Sequence, residues 1–342
     1  MSALGPALAR RETALALFIL VILAGVGWRN PAFVTPASLD DVLTDSAILV
    51  AVAIGQMLVI LTRGIDLSVA STLALAGEVV AILSSQWLEM PVGLTLLVAA
   101  AVGLALGAFN GALVAGIGIP PIVATLGTLS IYRGLIYVLS GGGWINAHQM
   151  GKGFLAFPLE RLLGLTHLVW VGVIVAVLAA LVLTFTRFGR ELYAVGGNPV
   201  AARYVGLREG PLVFAAYCLS GTIAGLCGYL WVARYSVAYT QLALGFELQV
   251  IAACVIGGVS IAGGIGTVGG CVLGALLLGV IANALPAINV SPFWQMGIAG
   301  AVILIAVIVN ARTERRPGKL ILRSAAAPAD APPPLRAREA RR

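Results

Sequence analysis

The chain has 342 residues, of which 60% are hydrophobic and only 10% charged, with a formal net charge of +7 and a mean hydropathy of +1.02. Soluble domains carry about 25% charged residues, so this alphabet excludes a water-covered globule. The apolar stretches are continuous rather than alternating, which excludes barrel strands and leaves helices that satisfy their own backbone groups in the bilayer.

The fold expected is an all-α membrane protein of about ten transmembrane helices, each needing roughly 20 residues to cross. The hydrophobic runs place them near 12–28, 43–62, 67–84, 92–115, 120–140, 166–186, 211–232, 248–262, 267–286 and 293–311. The first run follows Arg10 and Arg11 but lacks an A-x-A-like cleavage site, so it reads as a span rather than a signal peptide. With an even count both termini share a side. If that side is cytoplasmic it holds Arg10, Arg11, Arg63, Arg187, Arg190, Arg203, Arg208 and nine Lys/Arg of the tail, against Arg29, Lys152, Arg161 and Arg234 opposite. That asymmetry is the positive-inside pattern, so the basic balance reads as topology and not as a nucleic-acid surface.

Between the second and third spans lies Thr62–Ser71, TRGIDLSVAS, in which Arg63 and Asp66 flank a turn and Asp66 can cap the third span. Glu78 and Arg133 fall inside spans three and five. Ionisable groups at membrane depth face a bundle interior or water, so these two either pair with each other or line a polar path. Gln56, Asn110, Thr125, Thr128, Tyr132 and Asn283 also interrupt the spans. Their hydroxyls and amides suit a neutral, hydrogen-bonding solute such as a sugar, and serve equally as interhelical glue. A faint internal echo, Asn110-Gly-Ala-Leu before Pro120-Pro121 and Asn283-Ala-Leu before Pro292, has the form of a transporter repeat.

The longest polar connection on the cytoplasmic side is Arg187–Gly210, RFGRELYAVGGNPVAARYVGLREG. Gly196-Gly197-Asn198-Pro199 is turn chemistry. Asn198 can cap a helix with Pro199 in its first position, and that short helix should run to Val205 and stop at Gly206. The segment is therefore either an anchored loop or a docking element for a cytoplasmic partner. Further on, Gly257-Gly258, Gly263-Gly264, Gly266, Gly269, Gly270 and Gly274 permit close helix approach or a broken helix beside a cavity, so the short, Gly-rich run at 248–262 is either a full span or a re-entrant or broken one. The membrane unit thus spans 1–311. The remaining 312–342 is an Ala/Pro/Arg-rich tail expected to be disordered, with contact to anionic lipid as a further option.

Several chemistries are absent from the pattern. Cys218, Cys227, Cys254 and Cys271 all lie in apolar runs and read as small buried hydrophobes. His148 and His167 are the only histidines, and there is no HExxH or Cys/His cluster to hold a metal. No GxxxxGK[ST] phosphate loop and no Ser/His/Asp arrangement occurs, so no enzyme and no resident cofactor are expected.

Four segments, taken in order, carry a family resemblance: LTRGIDLSVAS at 61–71, IPPIVATLGTLSIYRGL at 119–135, TRFGRELYAVGGNPVAARYVGL at 186–207, and the run from Phe246 to Leu285 containing ELQVIAACVIGGVSIAGGIGTVGG. They resemble the permease subunits of bacterial ABC sugar importers of the ribose type. The stretch at 127–150 looks most like the permeases for rhamnose and for the autoinducer-2 signal. One departure is Ala70, where such permeases usually show glycine. The resemblance implies a type II ABC importer fold in the bacterial inner membrane, a second permease chain, cytoplasmic ATPase subunits that bind the ATP-Mg, and a periplasmic sugar-binding protein meeting loops such as 141–165 and 234–247. It also implies that the 187–210 segment is the ATPase-coupling region, with Gly189, Arg190, Gly196, Gly197, Asn198, Ala201, Ala202 and Gly206 at the matching positions. Alternating access is then the expected mechanism, with Asn110, Thr125, Thr128, Tyr132 and Asn283 as candidates for the pathway. The competing expectation is an ion-gradient-driven carrier, which needs an acidic relay, and Glu78 is the one clearly internal carboxylate.

Overall fold

The computed structural model describes residues 4–291 and, beyond them, positions 294, 297, 300, 301 and 304. Apart from those isolated positions, the expected tenth span at 293–311 lies outside the described residues, as does the tail at 312–342. The helices in chain order are α1 (Leu4–Arg29), α2 (Pro36–Leu61), α3 (Val69–Gln86), α4 (Val92–Gly111, continued as a π turn over Ala112–Ile117), α5 (Pro121–Ser140), α6 (Lys152–Ala156), α7 (His167–Phe185), α8 (Arg187–Gly197), α9 (Pro199–Tyr204), α10 (Glu209–Tyr235), α11 (Phe246–Ile256) and α12 (Val268–Ala287). Four two-residue strands, β1 (Ile145–Asn146), β2 (Arg161–Leu162), β3 (Leu165–Thr166) and β4 (Val237–Ala238), pair antiparallel as β1 with β4 and β2 with β3.

Among the described residues eight helices are long and apolar enough to cross a membrane: α1, α2, α3, α4 with its π turn, α5, α7, α10 and α12. The run at 248–262 takes the shorter of its two expected forms and is not one continuous span. α11 has only 11 residues, a rise of about 16 Å against a hydrocarbon core of about 30 Å. It ends because Gly258, at φ +94°, takes the left-handed conformation that breaks a helix. At its other end the chain from Tyr239 to Gly245 is irregular, with Thr240, Leu242 and Ala243 buried. Buried irregular backbone needs partners for its carbonyls, and Arg133 of α5 supplies some of them by donating to the carbonyls of Leu242 (2.6 Å) and Ala243 (3.2 Å).

α2 is the hub. Every residue from Ser46 to Leu61 is buried, with α7, α10, α11 and α12 packed around it. A helix that is apolar all round and buried all round belongs to the centre of a bundle. α1 and α7 leave apolar faces outward, among them Phe18 and Val21 on one and Val177 and Leu178 on the other, as lipid contact requires.

Glycines set the closest helix approaches. A Cβ on Gly103 of α4 would lie 2.2 Å from the Gly221 carbonyl oxygen of α10, and one on Gly221 would lie 2.4 Å from the Gly103 oxygen. Gly228 of α10 meets the Leu73 carbonyl of α3 in the same way, at 2.1 Å. Backbone cannot move aside as a side-chain tip can, so Gly221→Val should cost about 3 kcal/mol or more. The expected outcome is loss of the monodisperse chain from detergent-solubilised membranes, read by size-exclusion chromatography.

The connections gather at two ends of the bundle. One carries the α2–α3 turn, the π turn of α4, α8, α9 and the α11–α12 loop. The other carries α6, the strand pairs and the segment before α11.

Candidate functional site

The first end is built around α8 and α9. Thr186 starts α8 by accepting the Gly189 N–H (3.2 Å) on its hydroxyl. Gly189 has to be glycine in this tight exit from α7, since a Cβ would fall 2.4 Å from both the Val182 oxygen and the Leu183 Cα. α8 buries Gly189, Leu192, Val195 and Gly196 and turns Arg187, Arg190, Ala194 and Gly197 outward, the 3.6-residue stripe of a surface helix. Asn198 then caps α9, its side chain accepting the Ala201 N–H at 3.0 Å with Pro199 in the first turn. α9 ends at Tyr204, and Gly206 sits at φ +83°. The short helix and its stop are where the sequence places them. The stretch before it differs: 187–197 is helical, and Gly196-Gly197 form its last turn instead of a free turn.

The reason for Gly196 is contact. A Cβ there would lie 1.7 Å from the Leu61 carbonyl oxygen and 2.6 Å from the Gly264 nitrogen. Three chain segments converge on this point. Arg63, itself at φ 67°, donates from Nε to the Gly196 carbonyl (2.6 Å) and from Nη2 to the Gly197 carbonyl (3.0 Å). Gly264 donates its N–H to the Leu61 carbonyl (3.0 Å), and the Tyr193 hydroxyl donates to the Gly266 carbonyl (2.9 Å). The carbonyls that Arg63 takes are the unpaired ones at the C-terminus of α8, where a cation is favoured. This knot ties α8 to the α2–α3 turn and to the α11–α12 loop.

The α2–α3 turn continues into a buried polar cluster. Asp66 Oδ1 accepts both the N–H (2.8 Å) and the hydroxyl (2.7 Å) of Ser68. It therefore closes an Asx-type turn just ahead of α3; the residue flanking the helix is Ser68. Asn110 of α4 donates to the Ser68 hydroxyl (2.7 Å). Thr125 of α5 accepts the Leu67 N–H (3.1 Å) and lies within donating reach of the Pro121 carbonyl (2.9 Å). In the amide orientation that suits both partners, Gln56 of α2 accepts the Asp66 N–H (3.0 Å) and donates to its carbonyl (3.3 Å). Burial raises the Asp66 carboxyl above its ordinary range, and the two Ser68 hydrogen bonds act against that rise.

Four of the pathway candidates are thus buried and bonded inside the chain. Asn110 and Thr125 brace the turn, Thr128 donates to the Thr125 carbonyl (3.3 Å), and the Tyr132 hydroxyl donates to the Leu106 carbonyl of α4 (2.9 Å). Asn283 stands apart, donating to Gly279 (3.0 Å) and lining a cavity of about 250 Å³ with Asp45, Tyr235 and Gln249. Arg133 and Glu78 do not pair: Arg133 is on the Leu242 and Ala243 carbonyls, and Glu78 Oε1 is buried without a hydrogen bond. Sequence reading missed Arg63, Gly263 and Gly264 as members of the α8 knot, because segments more than 60 residues apart carry no local signal of contact.

The family described as branched-chain amino acid transport system / permease component matches residues 38–307. The chain belongs to this permease family. It is 36% identical over 302 residues, 88% of this chain and 86% of the relative, to the autoinducer 2 import system permease protein LsrC of Salmonella typhi. The LsrC proteins of Shigella flexneri and Escherichia coli O157:H7 are each 36% identical over 304 residues, 88% of this chain and 87% of theirs. No solved structure matches the chain.

In the permease, the outer surface of α9 and the residues after it are unusual for a polar end. Val200, Tyr204 and Val205 are exposed, Tyr204 by 88%; Arg203 lines a surface hollow with Val200 and Tyr204, and Arg190 and Arg208 are exposed in the flanking segments. Arg203 reaches Glu209 at 3.4 Å. Large apolar side chains exposed together at a polar end are unusual for a surface that faces only water. Ala201 faces outward here, while Ala202 is buried against the bundle.

Proposed function

We propose that this permease is the membrane subunit of an ATP-driven ABC importer, in which the α8–α9 face docks a cytoplasmic ATPase and the opposite end receives a small sugar-like solute from a periplasmic binding protein. The exposed Val200–Tyr204–Val205 patch, with Arg203 beside it, is the observation that carries the reading. The same end bears Arg63, Arg187, Arg190, Arg203 and Arg208, which favours its being cytoplasmic by the positive-inside rule. No nucleotide site is needed in this chain, since the ATPase supplies hydrolysis. Movement of α8 passes through the Gly196 contact to the α11–α12 loop and, through Arg63, to the α2–α3 turn, so one docking event can reorient several spans. A second permease chain, identical or different, completes the pathway, and the buried residues Asn110, Thr125, Thr128 and Tyr132 hold its wall in shape.

The kinship with autoinducer 2 permeases makes autoinducer 2 and rhamnose the first solutes to test, with ribose third. The expected result is ATP-dependent uptake of one labelled solute by the permease assembled with its ATPase and binding protein. Tyr204→Ala with Val205→Ala should reduce co-purification of the ATPase by about tenfold, on the scale of truncating an interface anchor. No uptake of any small sugar would overturn the reading. Uptake that collapses with an uncoupler and survives deletion of the ATPase would replace it with a gradient-driven carrier.

A further inference from the structure

About two turns into α1 lie two adjacent opposite charges, Arg11 and Glu12, that the transport reading leaves unused. They diverge onto two different helix ends. Arg11 Nη2 donates to the carbonyls of Val255 (2.9 Å) and Ile256 (3.2 Å), the last two residues of α11. Glu12 accepts from the hydroxyl of Thr267, the residue whose side chain also caps α12 by accepting the Gly270 N–H at 3.0 Å. A cation on a helix C-terminus and an anion at a helix N-terminus are the two favourable placements for charge on helix dipoles. Here one pair of neighbours makes both at once.

The glycines beneath them fit this arrangement. A Cβ on Gly258, already at φ +94°, would lie 3.2 Å from Arg11 Cδ and Nε, and one on Gly269 would lie 3.3 Å from Glu12 Oε1. Each charged side chain therefore lies against bare backbone. Between the two helix ends runs the loop 257–267, whose Gly263 and Gly264 touch Arg63, Gly196 and Gly197 of the α8 knot. α11 and α12 also meet without side chains between them: a Cβ on Gly270 would fall 2.1 Å from the Gly257 oxygen, and one on Gly274 2.2 Å from the Ala253 oxygen.

We infer that Arg11 and Glu12 are positioning residues for coupling: they clasp the C-terminus of α11 to the N-terminus of α12, so that displacement of α8 moves both helices as one body and is not absorbed by the loop between them. The inference rests on α8–α9 being the ATPase-docking face. Removing the clasp leaves the docking surface intact and loosens the α11–α12 pair behind it.

Two measurements test it on the full chain. The first needs no transport: hydrogen exchange of the detergent-solubilised permease. Arg11→Gln and Glu12→Gln should each speed exchange of the amides between 258 and 267 by about 10-fold, the size of one lost helix-end charge contact, with α2 unchanged and Arg11→Lys close to wild type. Exchange of this loop that stays at the wild-type rate overturns the clasp. The second uses the assembled transporter with its ATPase. Both variants should retain the ATPase on purification and hydrolyse ATP within about twofold of wild type while uptake falls about 10-fold, a change in coupling ratio that simple misfolding does not produce. Uptake and hydrolysis that fall together, or neither falling, overturn the coupling role. If the ATPase fails to bind even the wild-type chain, the docking reading has failed, and the exchange result alone decides the clasp.

Discussion

Gly196→Ala should reduce uptake by at least about 100-fold, whereas Gly197→Ala should stay within about twofold of wild type, on the scale of an interior clash against a surface change. The two glycines are neighbours in the same helical turn and in the same motif, yet their surroundings are opposite. A methyl on Gly196 would fall 1.7 Å from the Leu61 oxygen and 2.6 Å from the Gly264 nitrogen, both backbone atoms, while a methyl on Gly197 meets nothing within 4 Å. The first can be accommodated only by pulling α8 off the α2–α3 turn. That movement also lengthens the 2.6 Å bond from Arg63 to the Gly196 carbonyl and opens the Gly264-to-Leu61 hydrogen bond. Losing these contacts and displacing the helix should cost about 3 kcal/mol at the knot. The remaining bundle, glycine-packed elsewhere, is untouched. The measurement is uptake alongside the amount of monodisperse permease. Equal behaviour of the two variants would mean that the knot does not transmit motion.

The difference between these glycines also marks how far the sequence can be read. Spans with long apolar runs, such as α2 and α7, are legible to within a few residues at most ends, because hydrophobic burial and helix length are local properties. The α9 helix is legible as well, since a capping Asn198, Pro199 in the first turn and Gly206 past the end are all written close together. Hydropathy overextends α11, since its apolar run continues through Gly257 and Gly258 while its backbone does not. The helix α8 is hidden because Gly196-Gly197 signal a turn, and only the contact with Leu61 and Gly264 explains them as a packing surface. In the same way the sequence places Asn110, Thr125 and Tyr132 inside the bundle without saying whether they face a solute. Their hydrogen bonds to Ser68, Leu67 and Leu106 make them braces between helices.

Asp66→Ala should be among the most destabilising single changes outside the helix–helix contacts, by about 3 kcal/mol, and Asp66→Asn much milder. Asp66 is buried in the protein, and its Oδ1 is the acceptor for the Ser68 N–H and the Ser68 hydroxyl, on which Asn110 in turn depends. Alanine leaves a buried N–H without a partner, at a cost of about 1–3 kcal/mol, and releases the hydroxyl that tethers α4 to the turn. Asparagine keeps the acceptor oxygen. It also imitates the protonated carboxyl, which makes pH a second test. Burial raises this carboxyl, so the folded chain holds its proton more tightly than the unfolded chain does. The linked contribution to stability grows as pH falls toward the ordinary carboxylate range and is lost as pH rises through the raised folded value. Wild type should therefore gain melting temperature on acidification while Asp66→Asn, with no carboxyl to titrate, does not, so wild type rises relative to Asp66→Asn and the deficit of Asp66→Ala deepens. Thermal melting of the detergent-solubilised variants between neutral and mildly acid pH reads both. An alanine variant as stable as the asparagine one would mean that the turn is held by Gln56 and Thr125 without the carboxyl, and would remove Asp66 from the connection between α3, α4 and the α8 knot.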